Sequence, residues 1–122
     1  FVFGGGSGSL HSEALFVMHL PSFRWQSISC YGMEPCPRAH HTATVLGFGL
    51  IIFGGTGLGV DDSLFVLNTV SSVWHKVDAH GVSPGVKAFH TMTAIDNDRM
   101  VLYGGQNTET NVVSGDAFMF DW

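Results

Sequence analysis

The sequence predicts an all-β fold assembled from a repeated four-stranded sheet. Two observations carry this expectation: an internal repeat, and short apolar runs separated by turn-forming residues. The glycine pairs Gly4-Gly5, Gly54-Gly55 and Gly104-Gly105 each close an apolar run, and successive pairs lie 50 residues apart. Trp25 and Trp74 lie 49 apart, as do Leu15–Met18 and Leu64–Leu67, and Arg38–Thr42 and Lys87–Thr91. Independent landmarks in one order at one period define a structural repeat. Val, Ile, Phe, Thr and Tyr dominate the runs, whereas Gly, Asp, Asn, Ser and Pro dominate the gaps, which is strand and turn chemistry.

Each element follows from its place in the repeat. Strand one is expected at His40–Leu46 and Phe89–Ile95, after the Pro-Arg or Val-Lys step. Strand two is the apolar run before each glycine pair: Phe1–Phe3, Leu50–Phe53 and Met100–Tyr103. Strand three is Ala14–His19, Ser63–Asn68 and Ala117–Asp121. Strand four surrounds the tryptophan at Arg24–Ser29 and Val73–Asp78. The approximate units are 1–29, 30–78 and 79–122; only the middle one carries all four strands.

Composition bounds the function. The 122 residues suit part or all of one domain, and 45% hydrophobic against 12% charged residues is too apolar for a disordered segment. The net charge is −5, and Arg24, Arg38, Lys76, Lys87 and Arg99 are scattered. Nucleic acid and anionic membranes need clustered cations, so neither is an expected partner. Apolar runs such as Val45–Phe53 fall far short of the ~20 residues that span a bilayer, so no membrane insertion is expected. Cys30 and Cys36 share one loop, where a local disulfide and two free thiols are both open; two cysteines make no disulfide framework, which favours a reducing, cytoplasmic location. The chain begins at Phe1 inside a strand-like run, so the true N-terminus is expected to lie outside it.

A glycine pair after an apolar strand, then a Leu/Phe strand, a tryptophan, Pro-Arg and a His-Thr step: this pattern resembles the kelch repeat over essentially the whole chain. The resemblance implies β-propeller blades of four antiparallel strands, packed side by side around an axis. It departs from the pattern where the first unit lacks its opening strand, the third ends before its fourth, and Val86-Lys87 replaces Pro-Arg. Blades cannot bury both faces alone, so the remaining blades of the propeller are expected from sequence outside this chain. The resemblance further implies a non-catalytic module that binds protein, a scaffold or adaptor. The alternatives are the propeller of an oxidase or mutarotase, and an accessory domain of an enzyme whose catalytic part lies elsewhere.

No chemistry-bearing motif competes with this reading. The glycine loops Gly4–Ser9 and Gly54–Gly59 match neither G-x-G-x-x-G nor a G-K-[ST] ending. No zinc or copper spacing and no nucleophile elbow is present, so no metal, cofactor or catalytic residue is expected. Gly4, Gly5, Gly54, Gly55, Gly104, Gly105, Trp25, Trp74, His41 and His90 recur at equivalent positions and are expected to be structural. The links from strand one to two and from three to four are short, and those from two to three and from four to the next blade are long. Alternating strand direction puts the long links on one rim, where recognition is expected. Its candidate partner-binding residues are His11, Tyr31, Met33, Leu58, Gln106, Asn107, Glu109 and Asn111. Arg38 and Lys87, both just before strand one, have two readings: a brace between blades, or a cation at the ring mouth that grips a partner's carboxylate.

Overall fold

The computed structural model describes residues 1–122 as fifteen β-strands with no helix. The first sheet begins with β1 (Val2–Phe3); a small hairpin, β2 (Gly6–Ser7) and β3 (Leu10–His11), leads to β4 (Leu15–His19) and β5 (Arg24–Ser27). The second contains β6 (Tyr31–Gly32), β7 (Thr42–Leu46), β8 (Gly49–Phe53), β9 (Leu64–Asn68) and β10 (Val73–Val77). The last part contains β11 (Lys87–Ala88), β12 (Thr91–Ala94), β13 (Arg99–Tyr103), β14 (Gln106–Asn107) and β15 (Ala117–Asp121). The principal sheets run β1-β4-β5, β6-β10-β9-β8-β7 and β12-β13-β15, and all but one of their pairings are antiparallel.

Period-two alternation explains how these sheets stack. On β8 and β9, Leu50, Ile52, Phe65 and Leu67 face the first sheet and join Phe3, Leu15 and Trp74 in one buried cluster. The intervening residues Ile51, Phe53, Leu64 and Val66 face the third sheet and join Leu46, Met100 and Leu102 in another. The middle sheet is therefore apolar on both faces, which is why its strands read as unbroken hydrophobic runs. Burying a side chain of this kind is worth about 1.5–3 kcal/mol, and it is obtained only when neighbouring sheets are in place.

The glycine pairs end β1, β8 and β13, as expected. At Gly54 and Gly55 the backbone has φ of +64° and +103°. A Cβ on Gly54 would run into the Lys87 carbonyl, and one on Gly55 into the Ala39 carbonyl. Only glycine permits both the conformation and the approach.

Two details differ from the sequence-based expectation. Strand one begins at Thr42 and Thr91 rather than at His40 and Phe89, because the latter adopt left-handed backbone, with φ of 58° and 59°. The Cys30–Ala39 link is not wholly a loop: its residues Tyr31–Gly32 pair in parallel with Val73–Trp74 and form a fifth, outermost strand.

The two rims separate by link length. On one, the short links touch, with Thr69 N–H donating to Phe48 O at 3.0 Å. On the other, the long links are knitted together. Gly5 N–H donates to Arg38 O (2.8 Å), Arg38 N–H to Ser12 O (3.1 Å), Gly55 N–H to Lys87 O (2.7 Å) and Thr108 N–H to Val86 O (3.0 Å).

Candidate functional site

The long-loop rim holds most of the sequence-designated residues, but not in one role. Leu58 is 96% exposed at the tip of the Thr56–Asp62 link, and Glu109 and Asn111 are exposed in the Gln106–Asp116 link. His11, Gln106 and Asn107 are half-buried. Gln106 and Asn107 form β14, which pairs with Lys87–Ala88. The Asn107 carboxamide oxygen accepts the N–H groups of Glu109 and Thr110, each at 2.9 Å, so Asn107 holds the turn that presents Glu109.

Arg38 and Lys87 are corrected from partner contacts to internal braces. Arg38 is 0% exposed. Its guanidinium donates from Nη1 to Gly54 O at 3.0 Å, from Nε to Cys36 O at 3.1 Å and from Nη2 to Cys36 Sγ at 3.3 Å, and it stands 5.2 Å from the Phe65 ring centroid. Lys87 is buried too; its Nζ donates to Ser114 Oγ at 2.8 Å and lies 5.9 Å from the Phe118 ring centroid. Arg38 thus caps the strand-two end of its own sheet, Lys87 holds the long link that follows strand two, and each cation lies over the aromatic of strand three. No donor faces outward to meet a ligand carboxylate.

Tyr31 and Met33 are also corrected. Tyr31 N–H donates to Ser72 O and Met33 N–H to Trp74 O, both at 3.1 Å. Both residues are exposed along the outer edge of the middle sheet, away from the long-loop rim, because the linking segment adds itself to β10.

The two repeat tryptophans diverge. Trp74 is 2% exposed and meets Phe3 edge-on at 5.3 Å, whereas Trp25 is 55% exposed. The difference is one of neighbours: Trp74 is covered by the first sheet, and no sheet lies against the equivalent face of the first sheet itself. Trp25 is thus not a packing residue within this chain.

The histidines stitch strand one to the adjacent sheet. His90 shares a hydrogen bond between its Nε2 and Thr42 Oγ1 at 2.8 Å and meets Phe53 edge-on at 5.5 Å; His41 meets Phe3 in the same way at 5.6 Å. Burial, with the Lys87 and His41 charges adding to it, lowers the His90 pKa to about 4, and burial beside Arg38 lowers that of His41. Both imidazoles are therefore held neutral near pH 7. Thr44 Oγ1 donates to Met92 O at 2.8 Å, which completes the seam between β7 and β12.

Sequence reasoning passed over the pair that the structure brings together at the inner edge of this rim. His40 and Phe89 occupy equivalent positions, one residue before His41 and His90. Both are exposed, both have left-handed backbone, and Phe89 N–H donates to His40 O at 3.1 Å. Their ring centroids lie 4.4 Å apart at 36°, and His40 Nδ1 is 3.0 Å from Thr56 Oγ1. The left-handed conformation costs a non-glycine residue about 1–2 kcal/mol, and its effect is to turn both rings out of the strand and onto the rim. The signal was available: the spacing of the pair matches that of the neighbouring histidines. It was missed because one member is imidazole and the other phenyl.

No group of three or more His, Cys, Asp or Glu side chains converges on a metal-sized site, and both cysteines are free thiols. Burial, with Glu34 nearby, pushes the Cys30 thiol up. What the rim offers is shape, hydrogen-bonding edges and an aromatic stack.

The comparisons with known proteins agree with this geometry. A 54-residue stretch is 37% identical to the Rho GTPase-activating protein gacHH of Dictyostelium discoideum; it spans 44% of this chain and 4% of that protein. The model of the KLHDC2/KLHL20/DRC7 Kelch-repeats domain matches residues 1–122. With glycine-closed strands, antiparallel sheets stacked face to face and a family match over its whole length, the chain belongs to the kelch-repeat family, whose domains are generally protein-interaction propeller modules.

Proposed function

We propose that this chain is a non-catalytic protein-binding module that receives its partner on the long-loop rim, with the His40–Phe89 stack as its anchor. The stack is the observation that carries this reading. Two exposed rings are held by an energetically costly backbone at the inner edge of a rigid scaffold, where long links of differing sequence surround them. Aromatic anchors of this kind contribute disproportionately to interface energy. Leu58, Glu109 and Asn111 supply an outer ring of contacts, while Arg38 and Lys87 act beneath the surface by holding the loops.

The test is quantitative affinity capture with the wild type, the double variant His40→Ala/Phe89→Ala, and Phe48→Ala on the opposite rim. The double variant is expected to lose captured partners by about tenfold or more, with its melting temperature little changed, since both side chains are exposed. Phe48→Ala should capture as the wild type does. Equal capture by all three would overturn the rim assignment. A second reading, a docking module for a catalytic part elsewhere in a longer polypeptide, is favoured by the alignment to a small fraction of a Rho GTPase-activating protein. Deleting the module would then change where that activity is delivered and leave its turnover intact.

A further inference from the structure

Of the four prolines, only Pro84 follows a serine. Ser83-Pro84 lies in the link between β10 and β11, where Ala79–Ser83 are exposed and belong to no strand. The Ser83 hydroxyl has two partners: it donates to Asp62 Oδ2 at 2.5 Å and accepts the Gly85 N–H at 2.9 Å. The first of these bonds ties the link to a second one, Thr56–Asp62, which joins β8 to β9. No other hydrogen bond joins the two links. Asp61 engages Lys76 at 3.2 Å, so the exposed cation of this neighbourhood is already paired.

The preceding repeat shows what the same place tolerates. There Glu34 stands where Ser83 does, again directly before a proline, Pro35, and Glu13 stands where Asp62 does. Glu34 is exposed although β10 runs alongside its link, so a fourth strand packed there does not cover the position. Ionised carboxylates only accept hydrogen bonds, so Glu13 and Glu34 cannot form the tie that Asp62 and Ser83 form. One repeat therefore carries a permanent anion before proline and no tie. The next carries a hydroxyl and a tie.

We propose that Ser83 is a phosphorylation site for a proline-directed serine kinase, and that its phosphate unties the two links. The Ser83 oxygen bonds to the γ-phosphorus of ATP as the bond from that phosphorus to the β–γ bridging oxygen breaks. ADP leaves with the electron pair, and the hydroxyl proton passes to the kinase's catalytic carboxylate. The product has lost the proton that Asp62 accepted, and it sets a charge of about −2 against that carboxylate, so like-charge repulsion opens the tie. The Gly85 N–H can still donate to a phosphate oxygen, which keeps the local turn. The phosphorylated repeat then matches the one before it, with an anion at both places. This inference does not depend on which rim receives a partner.

The native protein is incubated with ATP and, in turn, a cyclin-dependent and a mitogen-activated protein kinase, both proline-directed, and the phosphate is located by mass spectrometry. At least one of them should phosphorylate Ser83, and Pro84→Ala should lower that labelling by about tenfold or more. A peptide of residues 79–86 with and without the same change repeats the comparison free of any effect on folding. In the phosphorylated protein, backbone amides of the Thr56–Asp62 link should exchange about two- to tenfold faster, the loss expected for one hydrogen bond. In Asp62→Asn, whose carboxamide can donate to the phosphate, phosphorylation should leave those rates unchanged. No phosphate on Ser83 with either kinase, labelling indifferent to Pro84, unchanged exchange in the phosphorylated wild type, or equal acceleration in Asp62→Asn would each overturn the proposal.

Discussion

Arg38 shows how a charged side chain can be essential without touching solvent. Its guanidinium reaches the Gly54 carbonyl at the end of strand two, and its own carbonyl accepts from Gly5 of the preceding sheet. Arg38→Ala leaves a buried carbonyl without its donor, which typically costs about 1–3 kcal/mol. Arg38→Lys should recover part of that, since one ammonium cannot reproduce three directed N–H groups. Chemical denaturation of the three proteins checks the order; an alanine variant as stable as the wild type would mean that the brace is dispensable. His90 makes a second prediction at this scale. Its pKa is 6.5 in the unfolded chain and about 4 when folded, because burial disfavours the charged ring. Between those values the unfolded chain takes up a proton that the folded chain refuses. The stabilisation is present in full above about pH 6.5 and is lost as pH falls through about 4, and it amounts to about 2–3 kcal/mol. His41 acts in the same direction. Urea midpoints from pH 7 to pH 4 should fall more steeply for the wild type than for His90→Gln; parallel curves would exclude His90 as the group responsible.

At the scale of the strand, the middle sheet depends on one aromatic from β10. Trp74 joins residues of two sheets in one cluster, so its removal empties a contact between blades as well as one within a blade. Trp74→Ala is expected to cost about 3–5 kcal/mol. The equivalent Trp25→Ala should change the stability of this chain by less than about 1 kcal/mol, because Trp25 is exposed. Thermal melts of the two variants side by side test this asymmetry, and similar losses would mean that the first sheet is covered in solution. The strands themselves were legible in the sequence. Alternating or continuous apolar runs, bounded by glycine pairs, placed β8, β9, β13 and β15 to within a residue. The start of strand one was not legible, since His40 and Phe89 are ordinary residues whose left-handed backbone accompanies an inter-sheet bond from Phe89 N–H to His40 O. Nor was β6, whose two residues carry no strand pattern and pair only because the link passes along β10.

At the scale of the molecule, the two outer faces mirror the two halves of a buried interface. Val2, Phe16 and Trp25 on the first sheet are equivalent to Ile52, Phe65 and Trp74; Tyr103 and Met119 on the third are equivalent to Phe53 and Val66. The former sets are exposed, and contiguous apolar surface of this kind promotes association. The 122-residue chain on its own is expected to self-associate head to tail as its concentration rises, and charged substitutions at Trp25 and Met119 should suppress this. Sedimentation velocity over a hundredfold concentration range is the measurement; a concentration-independent monomer of the wild type would show that these faces do not recognise one another.

The sequence by itself determined the repeat, the strand order within each unit, the glycine pairs and the division into a short-link and a long-link rim. These are local or periodic properties: side-chain alternation, turn chemistry and the spacing of landmarks are all written along the chain. Tertiary structure alone decided which repeat-equivalent residues share a fate. Trp25 and Trp74 have the same local context, and only a neighbouring sheet makes one of them core. Arg38 and Lys87 could have faced a partner, until the Gly54 carbonyl, the Ser114 hydroxyl and the strand-three aromatics drew them inward. His40 and Phe89 are 49 residues apart, and the packing of β7 against β12 is what turns them into one surface. Burial and long-range pairing depend on what lies across the interface, and a residue's own neighbours in sequence do not specify that.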